Sequence, residues 1–160
     1  MMNYKTYDSP VDTLLLLADQ RGLVAIRFAG TSQKALAQVE NDWAEGSALL
    51  DRCTEQLDAY FAGRLTAFEL PLVYSGTDFQ QQVMHALCDI PFGQTCSYGE
   101  LANKLGREGA ARAVGSANRR NPLPIIVPCH RVVGANGDLT GFAGGLDIKR
   151  KLLRLESSAR

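Results

Sequence analysis

The sequence lacks most of the features that mark a metalloprotein, a secreted protein or a membrane protein. It has four cysteines and two histidines, and no two cysteines have the CxxC spacing of structural zinc sites. The apolar run at 14–17 is too short for a signal peptide, and no run is long enough to cross a membrane. No P-loop or dinucleotide fingerprint occurs. We therefore expect no metal, no nucleotide cofactor and no membrane anchor, and free thiols in a reducing cytoplasm.

Charge is balanced over the whole chain but distributed unevenly along it. The net charge is zero, yet residues 1–76 hold 6 basic and 10 acidic side chains, whereas residues 77–160 hold 11 basic and 7 acidic ones. An excess of positive charge in the second half favours contact with a polyanion. The hydrophobic fraction of 46% supplies enough apolar material for one ordinary domain or two small ones.

Residues 1–75 have the pattern of a small α+β domain. Two apolar runs at 13–18 and 23–28 flank turn residues and predict a hairpin. Helical periodicity predicts one helix over about 32–45, capped by Ser32, and a second helix after Gly46. Residues 65–73 are expected to form an edge strand. This half shows no catalytic constellation.

Residues 76–160 have the pattern of a second, mostly helical domain. Thr77 and Gln80 have the spacing of a capping box at the start of its first helix. Two short helices are predicted over about 98–105 and 109–119, separated by Gly106, which suggests a helix-turn-helix. A glycine-rich loop at 134–145 precedes a last amphipathic helix, for which we expect Asp147 to be the cap.

The most unusual segment is 121–133, in which a cysteine, a histidine and an arginine follow one another between apolar stretches. Such apolar stretches predict a buried strand, with Pro128 fixing the backbone before Cys129. The neighbouring His130 and Arg131 can lower the pKa of the thiol, which would make Cys129 a nucleophile. Two alternatives are a buried structural cysteine and a metal ligand. Spacing disfavours the metal, because adjacent residues of a strand point to opposite faces.

The helix at 109–119 consists almost entirely of small side chains. Arg112 is the one long side chain placed in its middle, where a guanidinium can stack on bases and bond to phosphate. Gly115 is costly inside a helix. It is explained either by tight packing against another helix or by close approach of the helix backbone to a DNA groove.

Taken in order, the motifs of the second half resemble those of the O6-alkylguanine-DNA alkyltransferases. The resemblance covers about half the chain and is strongest around the Pro-Cys-His-Arg-Val-Val sequence at 128–133. The matching segments are 76–80, 90–95, 97–102, 110–115, 121–122, 128–133 and 141–146, together with Lys149, Leu152, Leu153 and Glu156.

The resemblance implies an α+β fold of two domains. A ribonuclease H-like domain at 1–75 would precede a winged helix-turn-helix-like domain at 76–160 that binds DNA and accepts the alkyl group. The implied activity is that of a methylated-DNA–protein-cysteine methyltransferase. Such a protein flips an alkylated nucleotide out of double-stranded DNA and transfers the alkyl group irreversibly to its own cysteine. Its substrates would be O6-alkylguanine and also O4-alkylthymine. The resemblance further implies a stand-alone bacterial repair protein, monomeric, with no cofactor and no obligate protein partner.

The resemblance also assigns catalytic roles to individual residues. Cys129 would accept the alkyl group, His130 would take the thiol proton through a water, and Glu156 would orient the imidazole. Tyr98 would contact the flipped nucleotide and assist the leaving guanine, and Asn121 would form the hinge before the active-site segment. Glu156 has the alternative of being a surface acid, and Tyr98 that of packing on the core.

The remaining site residues are expected to contact DNA or the flipped base. Arg112 would fill the gap that the flipped base leaves in the stack. The other residues expected at the DNA are Thr95, Ser97, Tyr98, Ala111, Ala113, Gly115, Ser116, Asn118, Arg119 and Arg131. The residues expected to line the base pocket are Val132, Phe142, Ala143 and Gly144.

Two other functions compete with alkyl transfer. One is a non-catalytic protein of the same fold that binds alkyl lesions and marks them for another pathway, which the presence of Cys129 disfavours. The other is a cysteine hydrolase that uses Cys129 and His130. Such hydrolases draw their histidine from a distant part of the chain, so adjacency argues against it.

Overall fold

The computed structural model describes residues 1–159, and the chain divides into two compact units after Val73. This division falls two residues before the boundary expected from the sequence. Among the described residues, no helix has both the length and the apolar character that crossing a membrane requires.

The first unit contains a four-stranded sheet in the order β3-β2-β1-β4. Its strands are β1 (Asn3–Asp8), β2 (Thr13–Asp19), β3 (Gly22–Phe28) and β4 (Ala44–Glu45). β2 pairs antiparallel with both β1 and β3, which confirms the predicted hairpin. Because β2 is central and covered on both faces, its leucines form a continuous buried run. Leu15 and Leu17 pack with Ala35 on one of these faces.

Two helices accompany this sheet, α1 (Ser32–Leu36) and α2 (Ala48–Phe61). The predicted helix over 32–45 is wrong in length and in its cap, because Thr31 caps α1 and the helix ends at Leu36. Beyond it the backbone bonds to the sheet, where the N–H of Ala44 donates to the carbonyl of Met2. The expected edge strand at 65–73 is reduced to a single bridge between Leu23 and Leu72.

The second unit is mostly helical. Its elements are α3 (Asp78–Cys88), β5 (Cys96–Ser97), α4 (Tyr98–Lys104), α5 (Ala111–Arg119), a 3-10 turn (Cys129–Arg131), β6 (Val132–Val133) and α6 (Leu146–Ser158). The capping box of Thr77 and Gln80 is present as predicted. The predicted cap of α6 is wrong, because Gly145 occupies the cap position and Asp147 lies in the first turn of the helix.

The segment 121–133 is buried as predicted, but most of it is not a strand. Pro122, Pro124 and Pro128 have no backbone N–H to donate to a ladder, and Ile125 adopts a left-handed backbone conformation with φ of 74°. Only β6 pairs, in parallel with β5. The chain therefore reaches Cys129 through a series of turns, and this path decides where the next two side chains point.

Candidate active site

Three ionisable side chains meet inside the second unit. The Nε2 of His130 lies 2.5 Å from Oε2 of Glu156. Arg131 forms a bidentate ion pair with the same carboxylate, with Nε donating to Oε1 at 2.8 Å and one terminal nitrogen donating to Oε2 at 3.1 Å. His130 and Glu156 are at most 1% exposed. Buried charges need such partners, because an unpaired buried charge is costly.

The 3-10 turn explains how two adjacent residues reach one carboxylate. In an extended strand, His130 and Arg131 would point to opposite faces, whereas in the turn both side chains bond to Glu156. Glu156 comes from the inner face of α6, where it follows Lys149 and Leu152 at helical spacing. All three of these α6 residues are buried.

The Cys129 thiol lies beside this cluster and is only 4% exposed. Burial raises the pKa of Cys129 to about 11, although a hydrogen bond from Asn121 and the positive charge of Lys149 act in the opposite direction. The sequence-based expectation of a thiol whose pKa is lowered by its neighbours is therefore wrong for the resting protein, because desolvation outweighs them. The resting thiol is protonated at neutral pH.

The burial and the neighbours of His130 determine the protonation state of its imidazole. Burial lowers the pKa of His130, and the nearby Arg131 and Lys149 lower it further, while Glu156 acts to raise it. A carboxylate can only accept, so Nε2 carries the hydrogen that is donated to Glu156. The other ring nitrogen, Nδ1, has no hydrogen-bond partner within residues 1–159. The imidazole is thus neutral, with a basic lone pair on Nδ1.

Two buried asparagines hold the backbone around the thiol. Asn121 donates from Nδ2 to the carbonyl of Val127 at 2.8 Å and accepts from the N–H of Leu123 at 2.9 Å. Asn118, on α5, donates to the carbonyl of Cys129 at 3.3 Å. The helix that carries Arg112 is therefore bonded directly to the residue that carries the thiol.

Lys149 is a buried cation whose role was not predicted from the sequence. Its Nζ donates to the carbonyl of Val132 at 2.6 Å and to that of Thr140 at 2.8 Å. The hydroxyl of Thr140 donates in turn to that of Tyr98 at 2.9 Å. Lys149 thereby connects β6 to the glycine-rich loop and to Tyr98. The sequence signal that could have indicated a buried Lys149 was its spacing from Leu152 and Glu156, which places all three residues on one helix face.

A groove of about 500 Å³ lies beside α5 and the glycine-rich loop. Arg112, in the first turn of α5 rather than in its middle, lines it together with Tyr98 and Arg119. A cation in a first turn opposes the helix dipole, and this turn contains no acidic residue. The position therefore costs helix stability and suits an external anion. The residues that line the groove are Tyr98, Ala111, Arg112, Gly115, Arg119, Thr140 and Gly141.

Comparison of the chain with known proteins identifies its family. Residues 2–74 match the family 6-O-methylguanine DNA methyltransferase, ribonuclease-like domain. Residues 78–158 match the family 6-O-methylguanine DNA methyltransferase, DNA binding domain. The chain belongs to the 6-O-methylguanine DNA methyltransferases. This membership and the observed elements confirm the predicted α+β fold.

Relatives of this methyltransferase match it over nearly its full length. The methylated-DNA–protein-cysteine methyltransferase of Methanosarcina acetivorans is 48% identical, covering 98% of this chain and 99% of the relative. That of Mycobacterium tuberculosis H37Rv is also 48% identical, covering 99% and 94%. A crystal structure of the M. tuberculosis O6-methylguanine methyltransferase has a TM-score of 0.87 at 47% identity, covering 100% of this chain and 95% of that one. A structure of M. tuberculosis OGT in complex with DNA also has a TM-score of 0.87, covering 98% and 94%.

Several residues expected at the DNA or the base pocket of this methyltransferase lie on accessible surfaces. Ala113 is exposed and Ser116 is half-buried on α5, and in the loop Ala143 is exposed while Phe142 is half-buried. Gly144 is half-buried in the same loop. Two further residues have different surroundings: Ser97 caps α4, and Thr95 lines a second cavity that also borders Glu156.

Two residues expected at the DNA, Arg131 and Asn118, and one expected in the base pocket, Val132, point into the protein instead. Arg131 is 6% exposed and bound to Glu156, so its guanidinium is not available to DNA. Asn118 faces inward and bonds to Cys129. Val132 is fully buried, and its carbonyl is occupied by Lys149. The resemblance assigned these residues to the DNA or the pocket, whereas in the structure helix phase directs Asn118 inward and the 3-10 turn directs Arg131 inward.

Proposed function

We propose that this protein repairs O6-alkylguanine, and also O4-alkylthymine, in double-stranded DNA by transferring the alkyl group to Cys129. The observation that carries the proposal is the buried set of Cys129, His130 and Glu156. The helix α5, which lines the groove with its outer face, is bonded to Cys129 through Asn118. In a member of this family, that set supplies a sulfur nucleophile, a base and a group that orients the base.

The transfer is a displacement at the alkyl carbon. The sulfur of Cys129 forms the new S–C bond while the bond between that carbon and the guanine oxygen breaks. The thiol proton passes through a water to Nδ1 of His130, and the Tyr98 hydroxyl gives a proton to the departing guanine. The thioether product has no good leaving group, so the thiol is not regenerated and each molecule acts once.

The resting charges of the site favour a proton transfer that is coupled to substrate binding. The thiol of Cys129 and the imidazole of His130 are both neutral at rest, because burial disfavours the charged form of each. When the proton moves, the imidazolium is stabilised by Glu156, and the thiolate by Asn121 and Lys149. The nucleophile is thus generated only as it is used, which protects the thiol from other electrophiles.

Residues of α5 and the adjoining loop supply the DNA contacts. Arg112 would fill the gap left by the flipped nucleotide, and Arg119 lies beside it on the groove. Tyr98, held by Thr140, would contact the flipped base. Thr95, Ser97, Ala111, Ala113, Gly115 and Ser116 are proposed to complete the contact with the DNA, and Phe142, Ala143 and Gly144 to line the base pocket.

We further propose that the protein works as a monomer in the cytoplasm, without a cofactor or an obligate protein partner. Methylated DNA itself is the alkyl donor, so the reaction balances without a further co-reactant. A reducing compartment keeps the acceptor thiol available, and all four cysteines are free in the structure. Light scattering of the protein alone and on a short duplex checks the monomer: one protein mass in each case supports it.

The decisive experiment uses duplex DNA with a radiolabelled methyl group on the guanine oxygen. Label should move to the protein up to one equivalent and no further. Cys129→Ala should abolish transfer and retain binding to the duplex. Turnover beyond one equivalent would exclude an acceptor protein. Tight lesion binding by the native protein without any transfer would instead support the non-catalytic lesion-binding function.

A further inference from the structure

We propose that Arg131 is a positioning residue that keeps His130 neutral by sharing its carboxylate partner, Glu156. The proposal deepens the alkyl-transfer function and rests on it. Arg131 was expected at the DNA, whereas in the structure its guanidinium donates hydrogen bonds to Glu156 and to the carbonyl of Ile90 inside the protein.

The geometry of Arg131 is that of a fixed fork. Two nitrogens donate to the two oxygens of Glu156, at 2.8 and 3.1 Å, and the remaining terminal nitrogen donates to the carbonyl of Ile90 at 2.6 Å. The guanidinium carbon lies 5.7 Å from the centroid of the Phe92 ring. A bidentate pair fixes the rotation of the carboxylate, and this rotation presents Oε2 to Nε2 of His130.

The electrostatic consequence follows from the charges that face the imidazole. Glu156 attracts a proton onto His130, whereas Arg131 and Lys149 repel it, and Cys129 is neutral at rest. Glu156 with Arg131 forms a neutral pair, so protonating His130 adds a net positive charge to a buried site that already holds Lys149. Without the guanidinium, only burial and Lys149 would oppose the carboxylate, and the pKa of the imidazole would rise, so that more of His130 would be cationic at a given pH. A cationic His130 cannot accept the thiol proton.

A purely structural arginine would stabilise the fold without setting the protonation state of His130. The two roles therefore separate in a titration. The chain has only two histidines, and His85 is exposed on α3, so the ring signals of labelled histidine can be assigned with a His85→Gln variant. The titration needs no substrate and reports on His130 even if the protein were to transfer no alkyl group.

The test compares Arg131→Met and Arg131→Gln, which remove the charge, with Arg131→Lys, which keeps the charge but loses the fork. In the first two variants we expect the titration midpoint of His130 and the acid limb of the rate of methyl transfer to move up together, by about one to three pH units. Arg131→Lys should transfer more slowly with both midpoints near those of the native protein. Arg154→Met, which removes an exposed arginine of α6, should change neither midpoint.

Slower transfer in Arg131→Met and Arg131→Gln with unchanged midpoints would overturn the proposal and leave Arg131 a structural residue. A downward shift of the His130 midpoint would also overturn it. Arg131→Gln retains hydrogen-bonding groups for the carboxylate and serves as the readout if the methionine variant does not fold. Absence of methyl transfer in the native protein would refute the proposed function, while the histidine titration would still decide the role of Arg131.

Discussion

The buried thiol of Cys129 is predicted to make the folded protein less stable in alkaline solution. Burial raises its pKa from an ordinary value of 9.0 to about 11. A group whose pKa is raised by folding contributes stability that is fully present below the unfolded pKa and is lost as the pH rises through the folded one. Two pH units correspond to about 3 kcal/mol of unfolding free energy. The loss should occur between about pH 9 and pH 11.

The assay is urea unfolding followed by far-ultraviolet circular dichroism, for the native protein and for Cys129→Ala, at several pH values. Cys53 is also buried, with its pKa raised to about 12, so the native protein alone does not isolate Cys129. The difference in unfolding free energy between the two proteins does isolate it. This difference should shrink by about 2 kcal/mol on going from about pH 8 to pH 11, and the rest of the loss follows at higher pH.

Alkylation by iodoacetamide gives an independent measure of the same thiol. Peptide mapping of the alkylated protein should show that Cys129 reacts slowly at neutral pH and that its rate rises only in the alkaline range, because the thiolate is the reactive form. A stability difference that does not change with pH, together with rapid alkylation of Cys129 near neutrality, would refute the account of a protonated resting thiol.

Three other substitutions test separate parts of the structure. Glu156→Gln should lower the free energy of unfolding by about 3–5 kcal/mol, because it leaves a buried guanidinium without its counter-charge. The control Asp147→Asn breaks an exposed pair on the same helix and should change the free energy of unfolding little. Equal effects of the two substitutions in urea unfolding would contradict the buried network. Gly115→Ala should raise helix stability by up to about 1 kcal/mol, since the added carbon would meet the Tyr98 ring at an ordinary 3.6 Å. The same variant should weaken binding to duplex DNA, and undiminished binding would show that the helix backbone does not approach DNA closely. Arg112→Ala should slow repair of duplex DNA far more than reaction with the free alkylguanine base, and equal slowing in both assays would assign it a structural role.

The chemistry of the site could be predicted from the sequence better than its geometry. The order Cys129-His130-Arg131 and the distant Glu156 matched one family, and the structure brings His130 and Glu156 into contact. The orientation of Arg131 could not be predicted, because an apolar run was taken as a strand with alternating faces. Pro122 and the other prolines of that run prevent a ladder, and the resulting turn sends Arg131 inward.

Helix phase explains the other differences in the second unit. Asn118 was expected to contact DNA, and Lys149 was named only as a residue that matches the family. Their positions on the inner faces of α5 and α6 become decisive only once the partner carbonyls of Cys129, Val132 and Thr140 are in place. Those partners come from turns and loops, whose paths a periodicity analysis does not give.

In the first unit, local signals predicted the hairpin but not the end of the first helix. The residues after Leu36 continue an apolar spacing that suits a helix. The backbone of the following segment instead bonds to β1, so that Ala44 and Glu45 add a strand to the sheet. This tertiary pairing overrides the local preference, as it commonly does for weak helices.

The most direct test of the central claim is the mass of the intact protein after exposure to duplex DNA that carries O6-methylguanine. We predict one added methyl group per molecule, located by peptide mapping on the fragment that contains Cys129. The mass should not increase further when more substrate is added. An unchanged protein mass after the methyl group has left the DNA, or a methyl group on any other residue, would contradict the account.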